Sequence, residues 1–220
     1  MSTERSRDIR HGRHSPSSRR ESKELTRKAL VRAALKLLSR NSFDSISLRE
    51  VTREAGISPT AFYRHFDDME ELGLVLVEES FGSLREMLRT ARADPSVYED
   101  AIRRSVAAVV QHVRDNAGHM RFIARERYGG VRRLRRAISR ELQLFTDELS
   151  IDLAAFPGIG KWPADDRRMF ANLVVETMVS ISAQLLDASP DEEEGVADRA
   201  VHQLRLISLG VPLWRPEHQS

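Results

Sequence analysis

Apolar residues recur with a helical period along almost the whole chain. Leu30, Ala33, Ala34, Leu37 and Leu38 fall at i, i+3, i+4, i+7 and i+8, the stripe of a first helix predicted over residues 22–40. Ser47-Leu48-Arg49-Glu50 has the form of a capping box, with the serine oxygen placed for the Glu50 amide, so a second helix starts there. It stops at Ala55-Gly56, where glycine permits a left-handed turn. Ser58-Pro59 restarts a helix, serine as N-cap and proline at the first helical position, where its missing N–H costs nothing. Asp68-Met69-Glu70-Glu71 opens a fourth helix, predicted to residue 93 or so. Later boundaries are punctuated in the same way. Asp94-Pro95-Ser96 with Glu99 opens a helix towards Asn116; Gly118 interrupts before a short helix through Tyr128; Gly129-Gly130 separates that from a long helix over 131–156. The Pro157-Gly158-Ile159-Gly160 loop precedes Trp162-Pro163, which opens a helix towards Asp187, and Ser189-Pro190-Asp191-Glu192 caps the last one, towards Leu209. No stretch alternates as a strand would. The expectation is an all-α chain of some nine helices without internal repeats.

Residues 47–66 carry the chemistry: a short helix, a turn on Gly56 and a second short helix, the form of a helix-turn-helix. Phe62 and Phe66 lie four apart and face inward, with Leu48, Val51 and Ile57 to receive them. Thr60, Ala61, Tyr63, Arg64 and His65 are left outside, where such groups meet base edges or phosphates in a major groove. Ser58 and Ser47 stand at the two helix starts, Arg49 is placed for a bidentate contact to guanine, and Lys23 and Arg27 add phosphate-binding charge. The competing reading of the same residues is a plain helical hairpin with a wet polar face.

Composition narrows the class. The chain has 220 residues, 40% hydrophobic and 31% charged, with 11 Gly, 8 Pro and no Cys, so it is long enough for a core without staples and is neither collagen-like nor disulfide-built. A cytoplasmic location is the expectation. The most apolar helix, residues 170–186, carries Asn172, Glu176 and Gln184 and is short for a bilayer span, so no membrane association is expected. Net charge is only +2, from 35 Lys+Arg against 33 Asp+Glu, but its distribution is uneven. Residues 1–22 read as a disordered basic arm, either an untethered tail or a contact to DNA phosphates.

At residues 47–66, followed by Glu70-Glu71-Leu72, the chain resembles the TetR family of bacterial repressors over about residues 23–77. The resemblance implies a three-helix DNA-binding domain, an α-helical ligand domain and a homodimer on double-stranded palindromic operator DNA. The domain division it suggests is 23–68 for the helix-turn-helix unit, 69–214 for ligand binding and dimerisation, and 215–220 for a tail. One departure stands out. Where family members often carry a lysine in the first turn of the fourth helix, near a phosphate, this chain has Met69 behind Asp67 and Asp68. Within the family, Ser45 to Val51, Phe66 to Gly73, Val77-Glu78-Glu79-Ser80, Arg121-Phe122, Arg125-Glu126-Arg127 and Gln203 to Ser208 look like the FabR and DesT regulators of unsaturated fatty acid synthesis. That likeness implies sensing of long-chain acyl-CoA, or acyl carrier protein thioesters, and control of desaturation genes.

Residues 121–140 hold eight arginines (121, 125, 127, 132, 133, 135, 136 and 140) against one acid, Glu126, a charge of +7. Guanidinium forks suit phosphates, while Phe122, Ile123, Leu134, Ile138, Phe145 and Leu149 offer an apolar lining for an acyl tail. The candidate ligand site is Phe122, Ile123, Arg125, Arg127, Arg133, Leu134, Phe145, Leu149, Phe170, Val174 and Met178. The alternative is that these arginines pair with acids such as Asp191, Glu192, Glu193 and Glu194, or stay wet, in which case a drug or another amphipathic effector, as in efflux control, fits better. The last two helices are apolar on two sides and so need two partners. Val175, Val179, Leu186, Val196, Ala200, Leu204 and Ile207 are the candidate dimer face, half of a four-helix bundle. No HExxH, GxSxG, P-loop or GxGxxG occurs, so neither an enzyme, a metal nor a cofactor is expected. His112 and His119 read as surface histidines, and Glu141, Asp147 and Glu148 as a solvated face.

Overall fold

The structure is a computed structural model that describes residues 16–91, 98–156 and 158–214. These form α1 (Pro16–Leu38), α2 (Leu48–Ala55), α3 (Pro59–Phe62), α4 (Met69–Ala91), α5 (Tyr98–Asp115), α6 (Ala117–Glu126), α7 (Arg132–Asp152), α8 (Ala164–Asp187) and α9 (Glu193–Ser208), with short 3-10 turns at Phe43–Ser45, Leu153–Ala155 and Val211–Leu213. No strand occurs among the described residues. The first helix starts earlier than the apolar stripe indicated: residues 16–22 are its opening turns, not part of an arm, and Pro16 suits that first position. The remainder of the arm, the 215–220 tail and the Asp94-Pro95-Ser96 cap lie outside the described residues.

The local signals act as their chemistry dictates. Glu50 N–H donates to Ser47 Oγ at 3.3 Å while Ser47 N–H donates to Glu50 Oε2 at 2.8 Å, which closes the capping box. Those two bonds hold the Glu50 carboxyl below its ordinary range. Gly56 ends α2 at φ 68°, the left-handed conformation that favours glycine. Ser58 Oγ accepts from Ala61 N–H at 3.2 Å and so occupies the first-turn amide that a phosphate oxygen would otherwise take. The recognition segment continues past the regular helix: Arg64 N–H donates to Ala61 O at 3.2 Å, His65 to Phe62 O at 2.8 Å and Phe66 to Phe62 O at 3.1 Å.

The helices α1 to α3 pack at one end, and α4 runs from them into a bundle with α5, α7, α8 and α9. The short α6 touches α1, α4, α5, α7 and α8 at once. One apolar cluster runs without a break from Leu30, Val51, Phe62 and Phe66 through Leu72, Leu76, Phe122 and Leu134 to Val196 and Leu204. A second, with Leu149, Leu153, Phe156, Ile159 and Phe170, closes the far end. Where α4 meets α7 the approach is close enough to require a glycine. A Cβ on Gly73 would lie 2.8 Å from both Leu134 Cδ2 and Phe43 Cζ.

Two readings of polar residues need correction. His112 is not at the surface: it is buried between α4 and α5, its Nε2 3.2 Å from Ser80 O and its Nδ1 3.3 Å from the Asn116 amide. Burial holds both it and His119 below the ordinary histidine range, although Glu79 lies 3.7 Å from His119 Nε2. Glu141 and Glu148 are likewise engaged, both by Arg85 of α4, at 2.7 and 2.9 Å, and Asp147 by Arg168 at 2.7 Å.

Candidate nucleic-acid interface and effector cavity

The helix-turn-helix presents one polar face. Phe62 and Phe66 are fully buried, 5.5 Å apart, and Phe62 meets the Tyr63 ring edge-on at 5.7 Å, which props the phenol outward at 61% exposure. Ser47, Arg49, Ser58, Thr60, Tyr63 and Arg64 are exposed, as is Lys23; Ala61 is partly covered. Two candidates do structural duty. Arg27 donates to His65 O at 3.3 Å and its guanidinium lies 4.7 Å from the Phe66 ring centre, so it ties α1 to the end of the recognition segment. His65 is half-buried; desolvation, then the charges of Lys23, Arg27 and Arg64, hold its imidazole below the ordinary range, and it faces DNA as a neutral ring.

Behind this unit a cavity of about 120 Å³ opens among α4 to α9. Phe81, Leu84, Met120, Ile123, Phe145 and Met178 form much of its wall, with Val174 and Leu149, and Arg127 brings its only charged group. A volume of that order holds about four waters, well short of the ~300 Å³ at which ligand pockets begin. An effector must therefore push side chains aside, and the two methionines are the adaptable ones. A polar vestibule of about 260 Å³ adjoins it, walled by Arg127, Tyr128, Ser139, Gln143, Thr146, Asn172 and Glu176. Arg127 stands between the two, its Nη2 3.3 Å from Glu176 Oε2 and its guanidinium 4.9 Å from the Tyr128 ring centre.

Several expected ligand contacts lie elsewhere. Phe122 packs on Phe43, ring centres 6.1 Å apart, and Leu134 on Gly73, both against the DNA-binding end. Phe170 belongs to the far cluster. Arg125 donates to Leu38 O at 3.1 Å and to Asn41 O, capping the carbonyl end of α1. Arg121 does the same for α8 at Leu186 O, 3.1 Å, and Arg135 holds the carbonyls of Gly129 and Gly130. Arg133 reaches Asp68 and Glu70. The arginine cluster thus disperses over helix ends and surfaces, and Arg127 alone of the eight enters the cavity wall. The acids 191–194 are not its partners; Glu193 pairs instead with Arg114, at 2.5 Å.

The expected dimer face is also reassigned. Val175, Val179 and Leu186 line the cavity, Val196, Ala200 and Leu204 are buried in the subunit's own core, and Ile207 is half-covered against it. The apolar groups that α8 and α9 leave exposed are Met169 (47%), Leu173 (51%), Leu206 (69%) and Leu209 (68%). A hydrogen bond of 3.0 Å from Trp214 Nε1 to Asp166 Oδ2 fixes the antiparallel register and sets these four at one level. The same α8, 24 residues with mean hydropathy 1.4, is long and apolar enough to cross a membrane by length and composition. In the fold it packs on α5, α6, α7 and α9.

Sequence reasoning missed Glu126. It is 1% exposed and reaches across to the DNA-binding end, where its Oε1 accepts from Phe43 N–H at 2.8 Å; its Oε2 has no hydrogen-bond partner. A Cβ on Gly129 would lie 2.2 Å from that Oε2, so the glycine makes room for the carboxylate. The arrangement makes α6 two-faced: Met120, Ile123, Ala124 and Arg127 line the cavity, and Phe122, Arg125 and Glu126 grip α1 and the turn at Phe43.

Residues 30–74 match the family model for bacterial regulatory proteins of the tetR family. The fold is shared with solved regulators at low identity. The fatty acid degradation regulator FadR of Bacillus halodurans superposes with a TM-score of 0.66 at 14% identity, over 88% of this chain and 98% of that one. A TetR-family transcriptional regulator of Streptomyces coelicolor gives 0.66 at 18%, over 87% and 97%. AibR, solved with isovaleryl coenzyme A and operator DNA, gives 0.61 at 14%, over 85% and 98%. Matched segment and fold together define the class: a TetR-family transcriptional regulator with an N-terminal DNA-binding domain, and not an enzyme.

Proposed function

We propose that this protein is a cytoplasmic repressor that binds a palindromic operator as a homodimer and senses long-chain acyl-CoA or a similar anionic amphiphile. The observation that carries the reading is α6, a helix with one face in an apolar cavity and the other gripping the DNA-binding end. A ligand that selects one position of α6 changes the seat of α1 and the turn at Phe43, and with it the separation of two recognition segments that must match about 34 Å of duplex or a multiple. The exposed row of Met169, Leu173, Leu206 and Leu209 supplies the dimer contact, a four-helix bundle from two copies of α8 and α9.

The effector class follows from polarity. An acyl chain suits the apolar chamber, and Arg127 is placed for the thioester end. Beyond it, Arg132 and Arg136 share the α7 stripe of Ser139 and Gln143 and are exposed without ion pairs among the described residues, so they continue the vestibule wall towards the phosphates of a coenzyme A. FadR is named for fatty acid degradation and AibR was solved with an acyl-CoA, which supports an acyl effector. Control of desaturation genes rests on the sequence likeness to FabR and DesT.

The test is a mobility-shift titration of operator DNA with saturated and unsaturated long-chain acyl-CoAs. Affinity for DNA is expected to change with at least one of them; identical curves with and without both ligands overturn the sensing role. A second reading, an uncharged drug-like effector, is favoured by the single charge in the cavity wall. Arg127→Ala separates the two, since it abolishes the response to acyl-CoA but leaves that to a neutral amphiphile.

A further inference from the structure

The turn after the recognition segment is acidic where a DNA-facing rim should be basic. Asp67, Asp68, Glu70 and Glu71 follow Phe66, and no Lys or Arg occurs between Arg64 and Arg85. Two of these carboxylates are partly spent on backbone: Asp68 Oδ1 accepts from Glu71 N–H at 2.7 Å, and the Glu71 carboxylate accepts from Asp67 N–H. A duplex seated on Tyr63 and Arg64 still meets a rim of its own sign.

The cation at that rim comes from the effector-binding half. Arg133, in the first turn of α7, places Nη1 3.8 Å from Glu70 Oε2 and 4.0 Å from Asp68 Oδ2, with its side chain 54% exposed. Exposed pairs at such separations bind weakly, whereas a phosphate offers the guanidinium a bidentate fit. The backbone beneath is firmly held. Leu134, the next residue, is fully buried against Gly73 of α4, and Arg135 braces the preceding loop through Gly129 and Gly130. Arg133 is thus a mobile fork on a fixed post beside the recognition segment.

We propose that Arg133 contacts the operator backbone beside α3, so that one phosphate contact is delivered by α7, a helix that also lines the cavity through Leu142, Phe145 and Leu149. An effector that displaces α7 withdraws this contact directly, in parallel with the α6 route. The inference rests on the DNA-binding reading above.

The test uses the full chain and a duplex enriched from a random pool with the wild-type protein, its affinity measured between about 50 and 200 mM salt. Arg133→Ala is expected to make the slope of log K against log salt shallower by about 0.9, the value of one phosphate contact. Arg140→Ala, two turns further along α7, keeps the wild-type slope, and Met69→Lys added to Arg133→Ala restores it by returning a cation to the rim from α4. A wild-type slope in Arg133→Ala, an equal loss in Arg140→Ala, or no recovery with Met69→Lys overturns the contact while leaving operator binding intact. A wild-type protein that enriches no duplex overturns the DNA-binding reading and the contact with it.

Discussion

Glu126→Ala isolates the joint between the two halves. Its Oε1 is the acceptor for the buried Phe43 N–H at 2.8 Å, and alanine leaves that donor unsatisfied at a cost of about 1–3 kcal/mol. For a chain of this length each kcal/mol lowers the melting temperature by roughly 2–4 °C, so the expected fall is about 2–12 °C. Glu126→Gln keeps an acceptor and the volume, and is expected to cost under about 1 kcal/mol. Circular dichroism melts of the three proteins measure the stability term, and operator titrations with and without acyl-CoA measure the coupling. The alanine variant should bind operator with a blunted response to effector, because α6 then holds the Phe43 turn only by ring packing and the Arg125 fork. If alanine and glutamine melt together, or the alanine variant responds fully, the carboxylate is not the joint.

Two further outcomes follow. His112 and His119 are held below their ordinary pKa of about 6.5 chiefly by burial, so the unfolded chain binds more protons than the folded one just below that value and stability falls as the pH drops through it. Melting temperatures from pH 7.5 down should decline from about 6.5, less so in His112→Gln; a flat profile to about pH 5 contradicts the neutral, buried assignment. Leu206→Glu places a charge in the exposed α8–α9 row, where a leucine buried by a partner contributes about 1.5–3 kcal/mol. Light scattering should show a monomer that melts normally, and an unchanged dimer refutes that face.

Short-range chemistry was legible in the chain. The Ser47–Glu50 box, the Gly56 turn, the Ser58-Pro59 start and the inward pair Phe62 and Phe66 depend on neighbours within a few residues, and each stands where its spacing put it. What depends on distant partners was not. The turn at Phe43 is anchored by a carboxylate 83 residues away. Periodicity showed that α8 has two apolar sides but not which one meets the cavity, because Val175 and Val179 differ from Leu173 only in what α6 and α7 lay against them. The arginines at 121–140 read as one electropositive site, yet helix-end carbonyls compete for guanidinium forks, and Arg121 and Arg125 went to those ends. His112 gave no sign of burial, since its partner is the main-chain oxygen of Ser80 on another helix.

The apolar seam that joins Phe66 to Leu72, Phe122 and Leu134 has a practical corollary for anyone trimming this chain. A fragment ending at residue 68 would carry the groove-reading face but lose the opposite wall that keeps it shaped, and its bared leucines and phenylalanines would invite aggregation. Excision at that point therefore yields a sticky peptide instead of a miniature operator probe.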